Sequence, residues 1–171
     1  MADCCTLPEK AAAAPAVLAC PVSGTRSRQV DSLTVKSLVR HLPFGEASTQ
    51  YYFCEAPDCD VIYFPYRADA ARFHRADLLV RVWPKDRGDD TPICYCFGVT
   101  WKKIRQEFGR ADGPTAAERI KAEVQAGNCA CEVKNPSGKC CLGNLARATQ
   151  ELGPAALRPL WRRPRSSSRS P

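Results

Sequence analysis

Eleven cysteines fall within 171 residues, and they fall in close sets: Cys4-Cys5, Cys20, Cys54 and Cys59, Cys94 and Cys96, Cys129 and Cys131, and Cys140-Cys141. The density is below that of a disulfide-stapled miniprotein, and an odd count leaves at least one thiol unpaired. It is also well above what an ordinary reduced protein carries without a reason. With 44% apolar residues the chain is not wholly disordered. No apolar run approaches the about 18 residues of a membrane span, so membrane insertion is not expected.

Compartment decides between disulfides and metals. Ala11–Ala19 followed by Cys20 has the outline of a lipoprotein signal. However, Asp3 and Glu9 precede it against Lys10 alone, Pro15 interrupts it, and Leu18 stands where cleavage sites have a small residue. A cytoplasmic, reducing location is therefore expected, and there clustered cysteines signify metal or redox chemistry. Residues 1–19 are read as a flexible lead. At the other end, 154–171 hold Arg158, Arg162, Arg163, Arg165 and Arg169, four Pro, four Ser and no acid. These arginines account for most of the +7 formal charge. The composition is that of a disordered basic tail, and with no folded basic face behind it, it argues against a nucleic-acid partner.

Between lead and tail the pattern predicts an α+β protein of two small lobes. The first, 20–92, opens with the tight turn Cys20-Pro-Val-Ser-Gly24. Val35, Leu38, Val39 and Leu42 then mark a helix capped by Ser32 or Thr34. Gln50–Phe53 and Val61–Phe64 read as strands flanking the knuckle Cys54–Cys59, with Leu78–Trp83 as a third strand. The second, 93–153, predicts three helices: one capped by Thr100, one opened by the capping box Thr115–Glu118 and closed by Gly127, and one over Leu142–Leu152. Neither core is large, so bound metal is expected to stabilise both.

In the second lobe the ligand candidates are Cys94-Tyr-Cys96, Cys129-Ala-Cys131 and Cys140-Cys141. Thiolates one residue apart can face one side of a turn, and a second pair from across a helical hairpin completes four sulfurs. Cys96 lies just before the Thr100 cap and Cys141 just before the last helix. Helix N-termini carry unpaired N–H groups that favour an anionic centre, such as an oxidised 2Fe–2S core with a charge of about −2. Adjacent side chains diverge, so Cys140 and Cys141 serve different sites, or one of them merely packs. Spacing alone leaves an iron–sulfur cluster and a structural zinc site equally open.

Two stretches carry a resemblance. Ile93-Cys-Tyr-Cys-Phe-Gly-Val-Thr100, followed by a helix and then Ile120 to Gly127, resembles the bacterioferritin-associated ferredoxin module. A longer pattern resembles the N-terminal domain of the CopZ copper-chaperone family: Thr34-Val-Lys-Ser-Leu38, Tyr52-Phe-Cys54 to Cys59-Asp-Val-Ile-Tyr-Phe64, Cys94-Tyr-Cys96 and Asn135-Pro-Ser-Gly-Lys-Cys-Cys141. The likeness runs over Cys20–Leu152. It implies a zinc-knuckle lobe followed by a 2Fe–2S lobe, with cluster ligands Cys94, Cys96, Cys131 and Cys141, and Cys129 and Cys140 as neighbours. It also implies a zinc ion on Cys20, Cys54 and Cys59.

Two departures bear on function. The family has a second cysteine in the opening turn where this chain has Ser23, a poor zinc ligand. The site is then three-thiolate plus water, or is completed by Cys140, Cys4 or Cys5. Full-length CopZ proteins also carry a copper-binding domain with a Cys-x-x-Cys loop, and that motif does not occur in this sequence. Cys4-Cys5 are the alternative soft-metal thiols. His41 and His74 are read as surface residues, not Rieske-type ligands, and the aromatics of Tyr51–Phe53 and Tyr63–Tyr66 as core packing. The resemblance implies a role in copper or other soft-metal homeostasis. The cluster would reduce Cu(II) to Cu(I) for delivery to a partner such as a copper-transporting ATPase. The alternatives are a ferredoxin-like electron-transfer partner of a reductase without metal cargo, and a zinc-only interaction module. No hydrolytic triad or phosphate-cradling loop suggests an enzyme.

Overall fold

The computed structural model describes residues 14–108 and 116–152. The expectations for Cys4-Cys5, the Thr115 cap and the arginine-rich tail lie outside the described residues.

The first lobe is an antiparallel meander of five strands in sequential order: β1 (Val17–Ala19), β2 (Arg26–Val30), β3 (Tyr51–Phe53), β4 (Val61–Pro65) and β5 (Phe73–His74). Sequence patterning predicts β3 and β4 but not β1, β2 or β5. Val17–Ala19, read above as part of a flexible lead, is an edge strand paired with Arg26–Arg28. Arg26-Ser-Arg-Gln-Val30 shows little apolar alternation. It is a strand because β1 and β3 supply partners on both sides. Both faces of β3 and β4 are covered. Tyr51 packs on Phe73 and Phe53 on Tyr63, at 5.4 and 6.0 Å between centroids, while Tyr52 stacks on Phe64 on the opposite face.

Helix α1 (Ser32–Leu38) packs Val35 and Leu38 inward but is shorter than the apolar spacing predicts. Val39 is already extended at its C-cap, so Val39 and Leu42 lie beyond the helix and pack on the first core from the chain that follows. Its cap is Asp31, whose Oδ1 accepts from Leu33 N at 2.7 Å, rather than Ser32 or Thr34. Thr34 is committed elsewhere: its hydroxyl donates to Glu132 O at 2.6 Å. Leu78–Trp83 is not a strand. Leu78 makes one bridge with Val39, and backbone bonds from Arg40 N to Asp77 O and from Leu79 N to Leu38 O tie the segment to the end of α1. Its apolar content reflects anchoring by Leu78, Val82 and Trp83, which are buried, while Leu79 faces solvent.

The second lobe begins with a hairpin too short to show in local patterning, β6 (Pro92–Cys94) against β7 (Val99–Thr100). Helices α2 (Trp101–Phe108), α3 (Ala116–Gln125), the single turn α4 (Cys131–Lys134) and α5 (Leu142–Glu151) follow. Thr100 Oγ1 accepts from Lys103 N at 3.4 Å, as a cap should. Ile104, Ile120, Leu145 and Ala148 close a second core around Ile93. Trp83 leaves the first lobe to join that core, under the Arg147 guanidinium, 4.9 Å from its ring centroid. The lobes are also joined by the Thr34–Glu132 bond and by Tyr63 OH, which donates to Pro136 O at 2.7 Å. Among the described residues no helix is long and apolar enough to cross a membrane.

Candidate metal centres

Two sheet connections deliver the first centre. Cys20 follows β1 in the turn to β2, where Gly24 N bonds to Cys20 O and Gly24 holds φ +70°, a conformation suited to glycine. Cys54 follows β3 and Cys59 leads into β4. The three Sγ atoms lie within 4.8 Å of one another, and all three side chains are buried, free thiols. Sulfurs sharing a tetrahedral zinc at about 2.3 Å stand about 3.8 Å apart, so the cluster needs only a small contraction to close on an ion. Ser23 Oγ is 3.5 Å from Cys54 Sγ, so the residue that departs from the family pattern lies against the sulfurs. Burial pushes the Cys20 thiol up, but bonds from the Ser23 hydroxyl and from the Ser23 and Val22 backbone outweigh it and bring Cys20 down to about 7. Burial pushes Cys54 up.

Two cations that motif reading did not single out brace the knuckle. Lys85 is 6% exposed, and its Nζ donates to Ala56 O at 2.6 Å and Cys59 O at 2.9 Å. Burial lowers its affinity for a proton, and the Cys54 and Cys59 thiolates oppose that. Arg75 donates to Pro57 O and to the Lys85 carbonyl at 2.9 and 2.7 Å. Nothing in the sequence separates Lys85 from a solvent-facing lysine. Only the fold tucks it under the 54–59 loop.

The second centre lies between the β6–β7 hairpin and the 131–141 segment. Cys96 Sγ is 3.6 Å from Cys131 Sγ, and Cys96, Cys131 and Cys141 lie within 4.8 Å of one another. Cys94, buried at the end of β6, stands outside that group; hydrogen bonding between its thiol and that of Cys141 is the largest influence on both, lowering Cys94 to about 6 and raising Cys141. Burial lifts Cys131 to about 12. Ala130 N donates to Cys96 Sγ at 3.3 Å, and the buried Asn135 amide reaches Cys141 Sγ at 3.6 Å. Asn135 also donates to Lys139 O and accepts from Ser137 N, which fixes the loop carrying Cys141. Cys131 opens α4 and Cys141 stands at the N-cap of α5. Backbone and amide N–H groups aimed at sulfur suit an anionic thiolate centre.

The structure therefore brings Cys20, Cys54 and Cys59 together, and Cys96, Cys131 and Cys141 together, with Cys94 buried in the same core but outside the 4.8 Å group. It does not bring Cys140 into either set. That thiol is exposed and lines a cavity of about 190 Å³ with Phe53, Glu55, Trp83 and Arg147. Cys129 is half-buried beside the second core. His41 is exposed, and His74 pairs with Asp60 at 3.0 Å; neither belongs to a sulfur cluster.

Residues 18–78 match the CopZ zinc binding domain. The match contains Cys20, Ser23, Cys54, Cys59 and the sheet that positions them. Over 140 residues the chain is 32% identical to the copper chaperone CopZ of Archaeoglobus fulgidus, an alignment covering 80% of this chain and 64% of that protein's length. The X-ray structure of the N-terminal domain of Archaeoglobus fulgidus CopZ is similar, with a TM-score of 0.62 at 29% identity, covering 76% of this chain and 96% of that domain. The likeness thus extends beyond the zinc binding domain into the lobe that carries the second set of thiols.

Proposed function

We propose that this chain is a two-centre metal protein of copper homeostasis. In this reading zinc is held at Cys20, Cys54 and Cys59, and a 2Fe–2S cluster at Cys94, Cys96, Cys131 and Cys141. The observation that carries it is the convergence of Cys96, Cys131 and Cys141, drawn from two stretches about thirty-five residues apart, under N–H donors from Ala130 and Asn135, with Cys94 buried in the same core. Cys96 lies against Cys131 at 3.6 Å, and this reading assigns Cys94, which shares the second core, with Cys141 to the other iron. A bound cluster supplies one-electron chemistry, which for a Cu(II) ion is reduction to Cu(I), the form that thiolates prefer. The protein's own contribution is to orient the sulfurs, offset their charge and shield them from water. Delivery of copper to a transporting ATPase rests on the similarity to the archaeal chaperone.

The test is iron, sulfide and zinc quantitation on one anaerobic preparation. Iron and sulfide are expected in equal amounts, at twice the zinc, with an EPR signal on reduction that Cys94→Ser and Cys141→Ser abolish. Because three of the sulfurs also lie close enough for a single ion, a colourless protein holding only zinc at both centres would replace this reading with the zinc-only module.

A further inference from the structure

Among the described residues three thiolates line the first centre, and beside them stands the Ser23 hydroxyl. Ser23 Oγ lies 3.5 Å from Cys54 Sγ and accepts a long bond from Thr25 N, so the turn presents this oxygen toward the sulfurs. Among the described residues no further Cys, His, Asp or Glu joins Cys20, Cys54 and Cys59 within 4.8 Å, and Cys140 lies apart on the surface. From these observations we infer that Ser23 makes the first centre an exchangeable three-thiolate site, at which Cu(I) displaces Zn2+. The inference rests on the zinc reading given under Proposed function.

The chemistry follows from coordination preference. Zinc seeks four ligands in a tetrahedron, and a structural site closes with four N or S donors. Here the fourth is a neutral hydroxyl or water, which leaves readily and lets a competing ligand enter. Cu(I) is softer and is satisfied by two or three thiolates, so the missing sulfur costs it little. The exchange involves no electron transfer: Cu(I) enters, Zn2+ departs, and the thiolates remain in place. Burial protects the thiolates from oxidation, and Lys85, which donates to the Ala56 and Cys59 carbonyls, keeps the 54–59 loop in place while the metals change.

Three measurements on the full chain test this. With Co2+ as the probe, the sulfur-to-cobalt charge-transfer band, taken as the difference from a chain in which Cys20, Cys54 and Cys59 are all changed to Ser, should have three-thiolate intensity in the wild type and in Ser23→Ala. It should rise by about a third in Ser23→Cys, in proportion to the sulfurs bound. Zinc transfer to a chromophoric chelator should be slower in Ser23→Cys than in the wild type, by at least the about 10–100-fold that even a neighbouring hydrogen-bonding group commands. Buffered Cu(I) should release one zinc per wild-type chain and none from Ser23→Cys. A wild-type cobalt band of four-thiolate intensity would overturn the inference, since another thiol would then complete the site. So would bound zinc that exchanges no faster than in Ser23→Cys and resists Cu(I). Failure of zinc and cobalt to bind any of these chains would instead remove the zinc reading, and this inference with it.

Discussion

Gly138 sits in the segment that carries Cys141, and the structure gives two separate reasons why Gly138→Ala should damage it. Its φ is +66°, which costs an L side chain about 1–2 kcal/mol. A Cβ there would also stand 2.9 Å from Thr34 Oγ1, a contact that side chains do not tolerate. Thr34 is fully buried and donates to Glu132 O at 2.6 Å, so it can yield only by giving up that bond, at about 1–3 kcal/mol. The expected loss is therefore about 2–5 kcal/mol, a large part of the about 5–15 kcal/mol that stabilises an ordinary domain. Equilibrium urea unfolding followed by tryptophan fluorescence measures it. The same experiment in a Thr34→Ala background separates the two causes: the oxygen is gone, and only the backbone cost of about 1–2 kcal/mol should remain. A loss within about 0.5 kcal/mol of zero, or an equal loss in both backgrounds, would refute the reasoning.

Tyr63→Phe strands the Pro136 carbonyl that Tyr63 OH bonds at a buried site; it should cost about 1–3 kcal/mol in the same unfolding assay and reduce iron retention on dilution. Lys85→Met removes the ammonium from the Ala56 and Cys59 carbonyls; zinc affinity measured by chelator competition should fall about 10–100-fold, with iron content unchanged. Metal must displace protons from thiols, and the hydrogen-bonded Cys20 thiol is lowered from 9.0 to about 7. Zinc uptake by the metal-free chain should therefore weaken steeply as pH falls through about 7, and titration calorimetry in buffers of different ionisation enthalpy should show proton release growing in the same direction. Removing zinc with a chelator should loosen the 54–59 loop before the sheet, read as faster amide exchange at Cys54–Cys59 than at Tyr63 and Phe64.

The amino-acid sequence alone identified the thiols, the strands around the knuckle, α1 and the last helix, because these depend on spacing and local periodicity. Val35 and Leu38 repeat at helical spacing, and Tyr51–Phe53 and Val61–Phe64 are aromatic and β-branched whichever strands they meet. The tertiary structure decided what depends on partners. Arg26–Val30 is a strand only because β1 and β3 flank it, and Leu78–Trp83 is not one because it lies along the end of α1 with a single bridge to Val39. The same distinction holds at the metal centres. Cysteine spacing marked the candidate ligands, but it could not show Ser23 standing against Cys54, Lys85 buried beneath the knuckle, or Cys140 turned out to solvent. Local pattern records what a residue contributes to its own turn of chain, whereas coordination, burial and charge compensation are set by residues far apart in sequence that meet only when the sheet and helices pack.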